Sequence, residues 1–375
     1  MSTDTALIEK REELKRRLAA GEYKTLVDIF LGWFERLLRR ITRRSKPLSL
    51  WVVTIVLCII IELINISGIY IAGDWVAVRK GSEFYGLGYK IGFLITMSTG
   101  ILVIIGTIVF NQYIGRLLAL WRDDILNKTN TTISLNDFED WLKTTCSWRL
   151  HLFTTLIFTI LYMPYLLSTI SVLFGMDIGY GILFALVVGV IFASSMLYQL
   201  LMVILLSARL RRYDLELFSS DPGSSEIISR LSGELGFFIY FFAIFAAFLT
   251  LVTSQMGGLS PFGFVLVLFF WLPITVLFIL NQTSLSSIIR RAKWKTLNEI
   301  QTMVEKLQEG NNYSDKETME AINRLINYHN QVKATRNSAI DLGTTLNFIN
   351  SLLLPLIAFI LGNLDLVTSL FTNKP

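Results

Sequence analysis

The sequence predicts an all-α fold, a polytopic α-helical membrane protein with about seven transmembrane helices and a cytosolic helical hairpin before the last span. The first observation behind this prediction is composition, because apolar residues make up 53% of the chain and charged residues only 17%. Ordinary soluble domains carry about 25% charged residues. The second is that the apolar residues fall into blocks of about twenty, the length a helix needs to cross a bilayer. The third is the one-sided distribution of Lys and Arg.

The apolar blocks predict the individual spans. They cover residues 50–73, 91–113, 152–173, 181–206, 235–254, 262–282 and 346–368. The first block follows a charge-rich segment, whereas a cleavable signal peptide would start within the first few residues and carry a shorter apolar core. We therefore interpret the first block as a retained transmembrane helix.

Basic residues fall almost entirely on one side of the predicted helices. With the N-terminus inside, every Lys and Arg except Arg79, Lys80, Lys90 and Lys374 lies on the inner face. An excess of Lys and Arg marks cytoplasmic loops. The pattern predicts a multi-pass protein of the cell membrane with a cytoplasmic N-terminus and, because the span count is odd, an outside C-terminus. Topology and anionic headgroups explain the basic excess, so no nucleic-acid partner is expected.

The predicted topology divides the chain into four regions. They are a cytosolic N-terminal amphipathic helical region at 1–49, a bundle of six transmembrane helices at 50–282 with cytosolic loops 114–151 and 207–234, a cytosolic helical hairpin at 283–345, and the seventh transmembrane helix with the outer C-terminus at 346–375. Each boundary is placed where the charge density of the chain changes.

The N-terminal region carries apolar residues at helical spacing, with arginines over much of the remaining surface. The apolar residues are Leu26, Phe30, Trp33, Phe34, Leu37 and Ile41, and the arginines are Arg36, Arg39, Arg40, Arg43 and Arg44. This pattern predicts a helix on the inner membrane surface whose partners are the lipid bilayer and its anionic headgroups. The alternative is that the helix packs on the protein's own cytoplasmic side.

Two stretches of the 283–345 region show the apolar spacing of paired helices. The seam residues are Leu297, Ile300, Val304, Leu307, Ile322, Ile326 and His329. Between them, the segment EGNNYSDKE contains a helix-ending glycine and a capping box formed by Ser314 and Glu317. We interpret the region as a helical hairpin whose exposed edges favour a homo-oligomer. An intramolecular stalk is the alternative.

Catalytic signatures are missing from the sequence. It contains no phosphate-binding glycine loop, no His-Glu-x-x-His, no Cys-x-x-Cys and no Gly-x-Ser-x-Gly. The two histidines, His151 and His329, lie far apart, as do Cys58 and Cys146. The sequence therefore predicts no enzyme, no cofactor, no metal site and no disulfide framework.

The polar content of the spans offers the most informative functional signal. Glu62 lies near the middle of the first span, where a charged carboxylate costs at least a few kcal/mol. It must be protonated, paired or facing water, and Asn65 lies one turn further along the same face. In the last span Asn347, Asn350 and Ser351 form a similar polar group. These five residues are the candidate ion path. The alternative is that they bond neighbouring helices for modest stabilisation.

Three prolines predict kinks or hinges, because each falls inside an apolar block: Pro164, Pro273 and Pro355. Three functions stay open at this point. The leading hypothesis is an oligomeric channel-like protein with a path near the last helix, suggested by Glu62 and the hairpin. The others are a secondary transporter coupled through Glu62, and a non-transporting membrane sensor or scaffold that docks cytosolic partners.

Overall fold

Helices account for most of the chain. The computed structural model describes residues 3–84, 89–174, 179–255, 261–309 and 316–338. Its α-helices are α1 (Thr3–Ala19), α2 (Leu26–Thr42), α3 (Leu50–Ile71), α4 (Trp75–Phe84), α5 (Tyr89–Leu120), α6 (Thr132–Thr145), α7 (Trp148–Phe174), α8 (Tyr180–Leu210), α9 (Glu226–Gln255), α10 (Pro261–Glu309) and α11 (Lys316–Ala334). Within these ranges no strand occurs, and β-pairing is limited to one isolated bridge between Thr129 and Leu215.

Five of the described helices are long and apolar enough to cross a membrane. The candidate segments are Leu50–Ile71, Gly100–Lys128, Tyr180–Leu210, Glu226–Ala247 and Trp271–Glu309. The chain is therefore an all-helical, membrane-embedded protein. The third predicted span falls on α7, which is not among the five, and residues 346–368 lie outside the described ranges. A count of seven stays a prediction.

Several helices run past the ends of the apolar blocks that predicted them. Helix α5 continues beyond residue 113 to Leu120, and α9 begins at Glu226, inside the predicted loop 207–234. Leu117 and Leu231 lie in these extensions and are fully buried. The extensions are held by protein packing rather than by lipid, so hydropathy alone makes these helices too short.

The predicted loop 114–151 is a packed helical unit. Trp121, which follows α5, stacks on Phe138 of α6 with ring centroids 3.9 Å apart. The indole nitrogen of Trp141, also on α6, donates a hydrogen bond to the backbone oxygen of Met202 on α8 at 2.9 Å. All three aromatic side chains belong to the main hydrophobic cluster, which also includes residues of α8, α9 and α10. The end of the bundle that includes α6 is therefore a dense core.

Helix α1 docks on α6 through one buried carboxylate. Glu139 accepts hydrogen bonds from Lys10 and from Arg17 of α1, the latter at 2.8 Å, and pairs with Lys143 at 2.9 Å. Burial raises the pKa of Glu139, but the hydrogen bonds from Lys10, Lys143 and Arg17 outweigh burial and lower the pKa to about 2. The carboxylate is therefore charged at neutral pH and holds α1 against α6.

We expect the docking of α1 on α6 to weaken at acid pH. The folded-state pKa of Glu139 lies below its ordinary value of 4.5, so its contribution is complete above pH 4.5 and is lost as the pH falls towards 2. Glu139→Gln removes about 2 kcal/mol of docking free energy already at neutral pH. Hydrogen exchange of residues 3–19, corrected for intrinsic rates, measures both effects. Glu12→Gln is the matched control, because Glu12 pairs only with Lys15 of its own helix. Equal protection of residues 3–19 in the Glu139 and Glu12 variants would contradict the role of Glu139 in holding α1 against α6.

Helix α2 begins with a capping box, in which Thr25 and Asp28 bond each other's backbone, and buries one apolar face. The buried residues are Val27, Leu31, Phe34 and Leu38. They share a hydrophobic cluster with residues of α3 and α5. Of the stripe expected from the sequence, Phe34 is buried and Leu26 is half-buried.

The second apolar face of α2 is exposed. Its members are Phe30, Trp33, Leu37 and Ile41, all predicted from the sequence as the membrane-facing stripe. One face of α2 therefore contacts the protein, and another face contacts the surroundings of the protein. The exposed stripe lies beside the exposed residues Arg36 and Arg40, and docking on an anionic membrane surface stays a prediction.

The corner of the bundle where α3 meets α8 depends on a close approach of the two helices. Gly68 of α3 and Gly181 of α8 are in backbone contact, since a Cβ on Gly181 would lie 2.4 Å from the carbonyl atoms of Gly68. Asp74 is buried beside them and accepts hydrogen bonds from the backbone nitrogens of Gly181 and Ile182, both at 3.1 Å. A carboxylate at this position caps α8 and opposes the positive end of its dipole.

The C-terminal part of α10 packs against α11. Leu297 and Ile300 of α10 share a hydrophobic cluster with Val332 of α11. Of the predicted seam, Val304 and Ile322 are also buried, Leu307 and His329 are half-buried, and Ile326 is 43% exposed. The contact face of α11 therefore includes Val332, which lies outside the predicted seam.

A buried lysine holds the end of α11. The ammonium of Lys293 donates hydrogen bonds to the backbone oxygens of Lys333 and Thr335, both at 2.8 Å, and to Oδ1 of Asn337 at 2.9 Å. These residues are the last turn of α11 and the segment that follows it, so Lys293 fixes the point from which the chain continues towards the predicted seventh span.

Two of the predicted hinge prolines lie within continuous helices. Pro164 is inside α7 and Pro273 is inside α10. Pro355 lies outside the described residues, as do residues 310–315 of the predicted break EGNNYSDKE. Whether these prolines act as hinges stays a prediction.

Candidate functional site

Helix α3 separates protein-facing and outward-facing residues. Glu62 is 9% exposed and Asn65 is 6% exposed, whereas Ile59 and Leu63 are 52% and 57% exposed. The carboxylate thus belongs to the stripe that faces the other helices, and the aliphatic side chains cover the outer surface. This orientation is the one that energetics demand of an acid inside a membrane helix.

A glycine makes room for the Glu62 carboxylate. A Cβ on Gly100 of α5 would lie 3.0 Å from Oε1 of Glu62, so any larger residue at this position would press on the carboxylate. Within the described residues, both oxygens of Glu62 and Oδ1 of Asn65 are buried and accept no hydrogen bond. Three unpartnered acceptor oxygens on one helix face form the candidate functional site.

The other buried acids of the described chain provide a comparison. Asp74 receives two backbone hydrogen bonds, and Glu139 receives three cationic side chains. Glu62 is 9% exposed, against 7% for Asp74 and 6% for Glu139, and receives no hydrogen bond from the described residues. A buried acceptor without a donor costs about 1 to 3 kcal/mol, and more when charged. Such a carboxylate requires a proton, a cation, water or a donor from outside the described residues.

A second polar layer lies between α5 and α8, further along α5. Oδ1 of Asn111 accepts from Nε2 of Gln199 at 3.0 Å and from the hydroxyl of Thr25 at 2.6 Å. Nδ2 of Asn111 donates to Asp28 at 2.6 Å. Asn111 follows Gly100 by eleven residues, about 16 Å along the helix. This layer ties the start of α2 to the bundle interior.

Between these levels, α7 and α8 bring further polar side chains together. Nε2 of His151 lies 2.8 Å from Oγ of Ser195, and the hydroxyl of Thr159 donates to Oγ of Ser194 at 3.5 Å. The imidazole of His151 also stacks on Tyr198 with centroids 4.1 Å apart. The serine and histidine are both buried, and the other imidazole nitrogen has no acid beside it to complete a triad within the described residues. The pair suits a polar helix interface rather than nucleophilic catalysis.

The bundle contains one more buried amide without a described partner. Asn281 of α10 is fully buried, and neither its oxygen nor its nitrogen is hydrogen-bonded within the described part of the chain. The hydroxyl of Ser284, one turn further, is likewise buried and unpartnered there. Buried polar groups of this kind are commonly satisfied by ordered water.

The sequence-predicted site is described in part. Glu62 and Asn65 lie side by side, whereas Asn347, Asn350 and Ser351 fall outside the described residues. Sequence reasoning missed Asn111 and Asn281, although both lie inside predicted spans. Neither residue lies beside a charged residue in its span, so neither attracted attention. An amide side chain within an apolar block was nevertheless a signal that could have identified both.

Comparisons of the chain with family models, with curated proteins and with solved structures give no match. The functional proposal therefore depends on the geometry around Glu62.

Proposed function

We propose that this membrane protein is a channel-like protein with a hydrated cation path that passes Glu62 and Asn65. The observation that carries the proposal is the buried Glu62 carboxylate, which has no partner among the described residues and lies near the middle of α3 on the face towards the other helices. Acidic residues at this depth mark ion or proton pathways in membrane proteins. The Asn65 oxygen beside it adds a neutral ligand of the kind that replaces the hydration shell of a cation.

The polar groups below Glu62 support a path that continues towards the inner side. Ser194, Thr159 and Asn111 are buried polar residues on three helices of the bundle. Asn347, Asn350 and Ser351 of the predicted last helix would complete the lining. A row of neutral polar groups leading away from a single acid favours passage, because it binds a cation weakly enough for release.

The proposal includes assembly of several copies through the region of α10 and α11. Met303 of α10, and Met319 and Ile326 of α11, are exposed apolar side chains in a region predicted to lie in the cytosol. Exposed apolar residues outside the membrane favour burial against another copy. An apolar interface there would join the hairpins and leave the membrane helices around a common axis.

Flux through reconstituted protein tests the proposal. In liposomes, the wild-type chain should conduct monovalent cations, and Glu62→Gln should reduce that flux about tenfold, because one charge at contact distance is worth about 1 kcal/mol or more. Glu299→Gln is the matched control, since Glu299 is an exposed acid on α10. No cation flux in the wild type at any tested pH or voltage would refute the channel.

The second candidate is a secondary transporter in which Glu62 carries a coupling proton. The absence of any described donor at Glu62 favours this candidate too, because such a carboxyl can bind and release a proton. The same liposomes separate the two: a transporter accumulates substrate against its gradient when a proton gradient is imposed, and a channel dissipates every cation gradient.

A further inference from the structure

Helix α2 is fixed to the rest of the protein at two places along its length. At its start, the hydroxyl of Thr25 donates to Oδ1 of Asn111 at 2.6 Å, and Nδ2 of Asn111 donates to Oδ1 of Asp28 at 2.6 Å. In its second half, Oε1 of Glu35 accepts a hydrogen bond from the backbone nitrogen of Leu48 at 3.2 Å. The first contact is with α5, and the second is with the segment that leads into α3. Helix α2 therefore connects α5 to the start of α3.

Both contacts lie at one edge of the apolar blocks. Leu48 precedes the first block by two residues, and Asn111 precedes the end of the second block by two. These two edges share one level, because Glu62, twelve residues into the first block, lies against Gly100, thirteen residues before the end of the second. Helix α2 therefore runs along the level at which the hydrocarbon of the bilayer meets the headgroups.

The exposed stripe of α2 faces the middle of the bilayer. Phe30 belongs to this stripe, and its ring lies edge-on to the ring of Phe192 on α8 with centroids 6.5 Å apart. The backbone oxygen of Phe192 accepts a hydrogen bond from the hydroxyl of Thr107 at 3.1 Å. Thr107 lies one turn deeper in the second block than Asn111, which bonds the start of α2. Phe30 therefore reaches deeper into the bundle than the start of its own helix.

Four faces surround α2, because successive residues of a helix are about 100° apart. The buried residues and the exposed stripe occupy neighbouring faces. Arg36 and Arg40 are exposed on the other flank of the stripe, whereas the acids Asp28 and Glu35 lie on the side opposite to it. Protein on one flank of the stripe, cations on the other flank and acids turned away are typical of a helix in an anionic membrane interface.

The segment between α2 and α3 adds positive charge at the same level. Its exposed cations are Arg43, Arg44 and Lys46. Trp33 on the stripe and Trp51 in the first turn of α3 are 55% and 54% exposed. Tryptophan is enriched at membrane interfaces, and each cation near an anionic surface strengthens the attraction to it. The charges and the tryptophans therefore indicate the same level as the contacts of α2.

We propose that α2 binds anionic phospholipids of the membrane that the bundle crosses. The exposed stripe lies among the upper acyl chains, and Arg36 and Arg40 donate hydrogen bonds to the phosphates of the headgroups. The buried face of α2 holds the helix on the bundle at the same time. This lipid site does not depend on the proposed ion path.

The depth of the stripe is measured on full-length protein in lipid bilayers. In a background with Cys58→Ser and Cys146→Ser, a fluorophore is attached to Leu37→Cys on the stripe. Phospholipids brominated in the upper acyl chain should quench it strongly. Gly32→Cys is the matched control on the far side of α2, because an added Cβ there meets no atom within 4 Å, and its fluorophore should be quenched weakly. Equal quenching at both positions would overturn the proposal. Quenching at neither would also overturn it, because a protein partner or a second copy would then cover the stripe.

The same fluorophore at position 37 measures the preference for anionic lipid. At equal mole fractions in phosphatidylcholine bilayers, brominated phosphatidylglycerol should occupy the site at least about fivefold more than brominated phosphatidylcholine. Arg36→Gln/Arg40→Gln should abolish this preference, and Arg36→Lys/Arg40→Lys should retain most of it.

The control for charge removes two exposed lysines far from α2. Lys306→Gln/Lys316→Gln alters α10 and the start of α11 and should bind lipid as the wild type does. Equal quenching by the two brominated lipids in the wild type, or the same loss of preference in both glutamine double variants, would overturn the proposal.

Discussion

Replacement of Gly181 by alanine is expected to disrupt the membrane bundle. The added Cβ would lie 2.4 Å from backbone atoms of Gly68 and 2.5 Å from the nitrogen of Ile69, and backbone cannot rotate out of the way as a side chain can. Helices α3 and α8 would have to separate, which also withdraws Asp74 from the first turn of α8. We expect the free energy of unfolding to fall by about 3 kcal/mol or more.

The thermal stability of the detergent-solubilised chain measures this effect. The midpoint of unfolding, followed as loss of the monodisperse peak in size-exclusion chromatography, should fall by about 5 to 10 °C. Gly189→Ala is the matched control in the same helix, because a Cβ at Gly189 meets no atom within 4 Å. The control should be neutral or slightly stabilising, since alanine favours helix. A Gly181 variant as stable as the Gly189 variant would show that the two helices do not meet at these glycines.

Loss of the Lys293 ammonium is expected to release the end of α11. Lys293→Met would retain the length of the side chain but leave three oxygens, those of Lys333, Thr335 and Asn337, without their donor. Loss of these charge-assisted hydrogen bonds costs about 2 kcal/mol, because water reaches the exposed residues Lys333 and Asn337 and replaces part of the interaction. The cost falls on a small contact region, so α11 should detach locally while the transmembrane bundle stays folded.

Hydrogen exchange of residues 316–338 reports this release. Protection there should drop strongly in Lys293→Met and stay unchanged in α3 and α8. Lys306→Met provides the control, because Lys306 is exposed on the same helix and forms no ion pair within the described residues. Unchanged protection of α11 in the Lys293 variant would contradict this expectation, because the apolar contacts of Leu297, Ile300 and Val332 would then be enough to hold α11 on α10.

The inward orientation of Glu62 is predictable from the sequence, because no lipid-facing position tolerates a charge and the polar residue one turn away marks the same face. Its lack of a partner among the described residues is not predictable. The three cations on Glu139 show why: Lys10 reaches that carboxylate across 129 positions of sequence. A partner so distant leaves no local pattern, whether it is present or absent.

The faces of the amphipathic helices illustrate a second limit of prediction. In α2 both Phe34 and Trp33 belong to apolar stripes, and hydropathy alone does not say which one meets protein and which meets the membrane surface. In α11 two overlapping stripes compete, one through Ile326 and one through Val332. The hydrogen bonds from Lys293 to the end of α11 favour the stripe through Val332. These bonds are tertiary contacts, which the pattern of α11 alone does not reveal.

Accessibility of α3 from water tests most directly whether a hydrated path passes Glu62. In a background with Cys58→Ser and Cys146→Ser, Asn65→Cys and Leu63→Cys place single thiols on the inward and outward faces of the same helix, where the native residues are 6% and 57% exposed. A small cationic thiol reagent applied to protein in lipid bilayers should modify position 65 at least about tenfold faster than position 63, because thiols react as hydrated thiolates. Reaction at position 63 alone, or at neither position, would contradict a water-filled route beside Glu62.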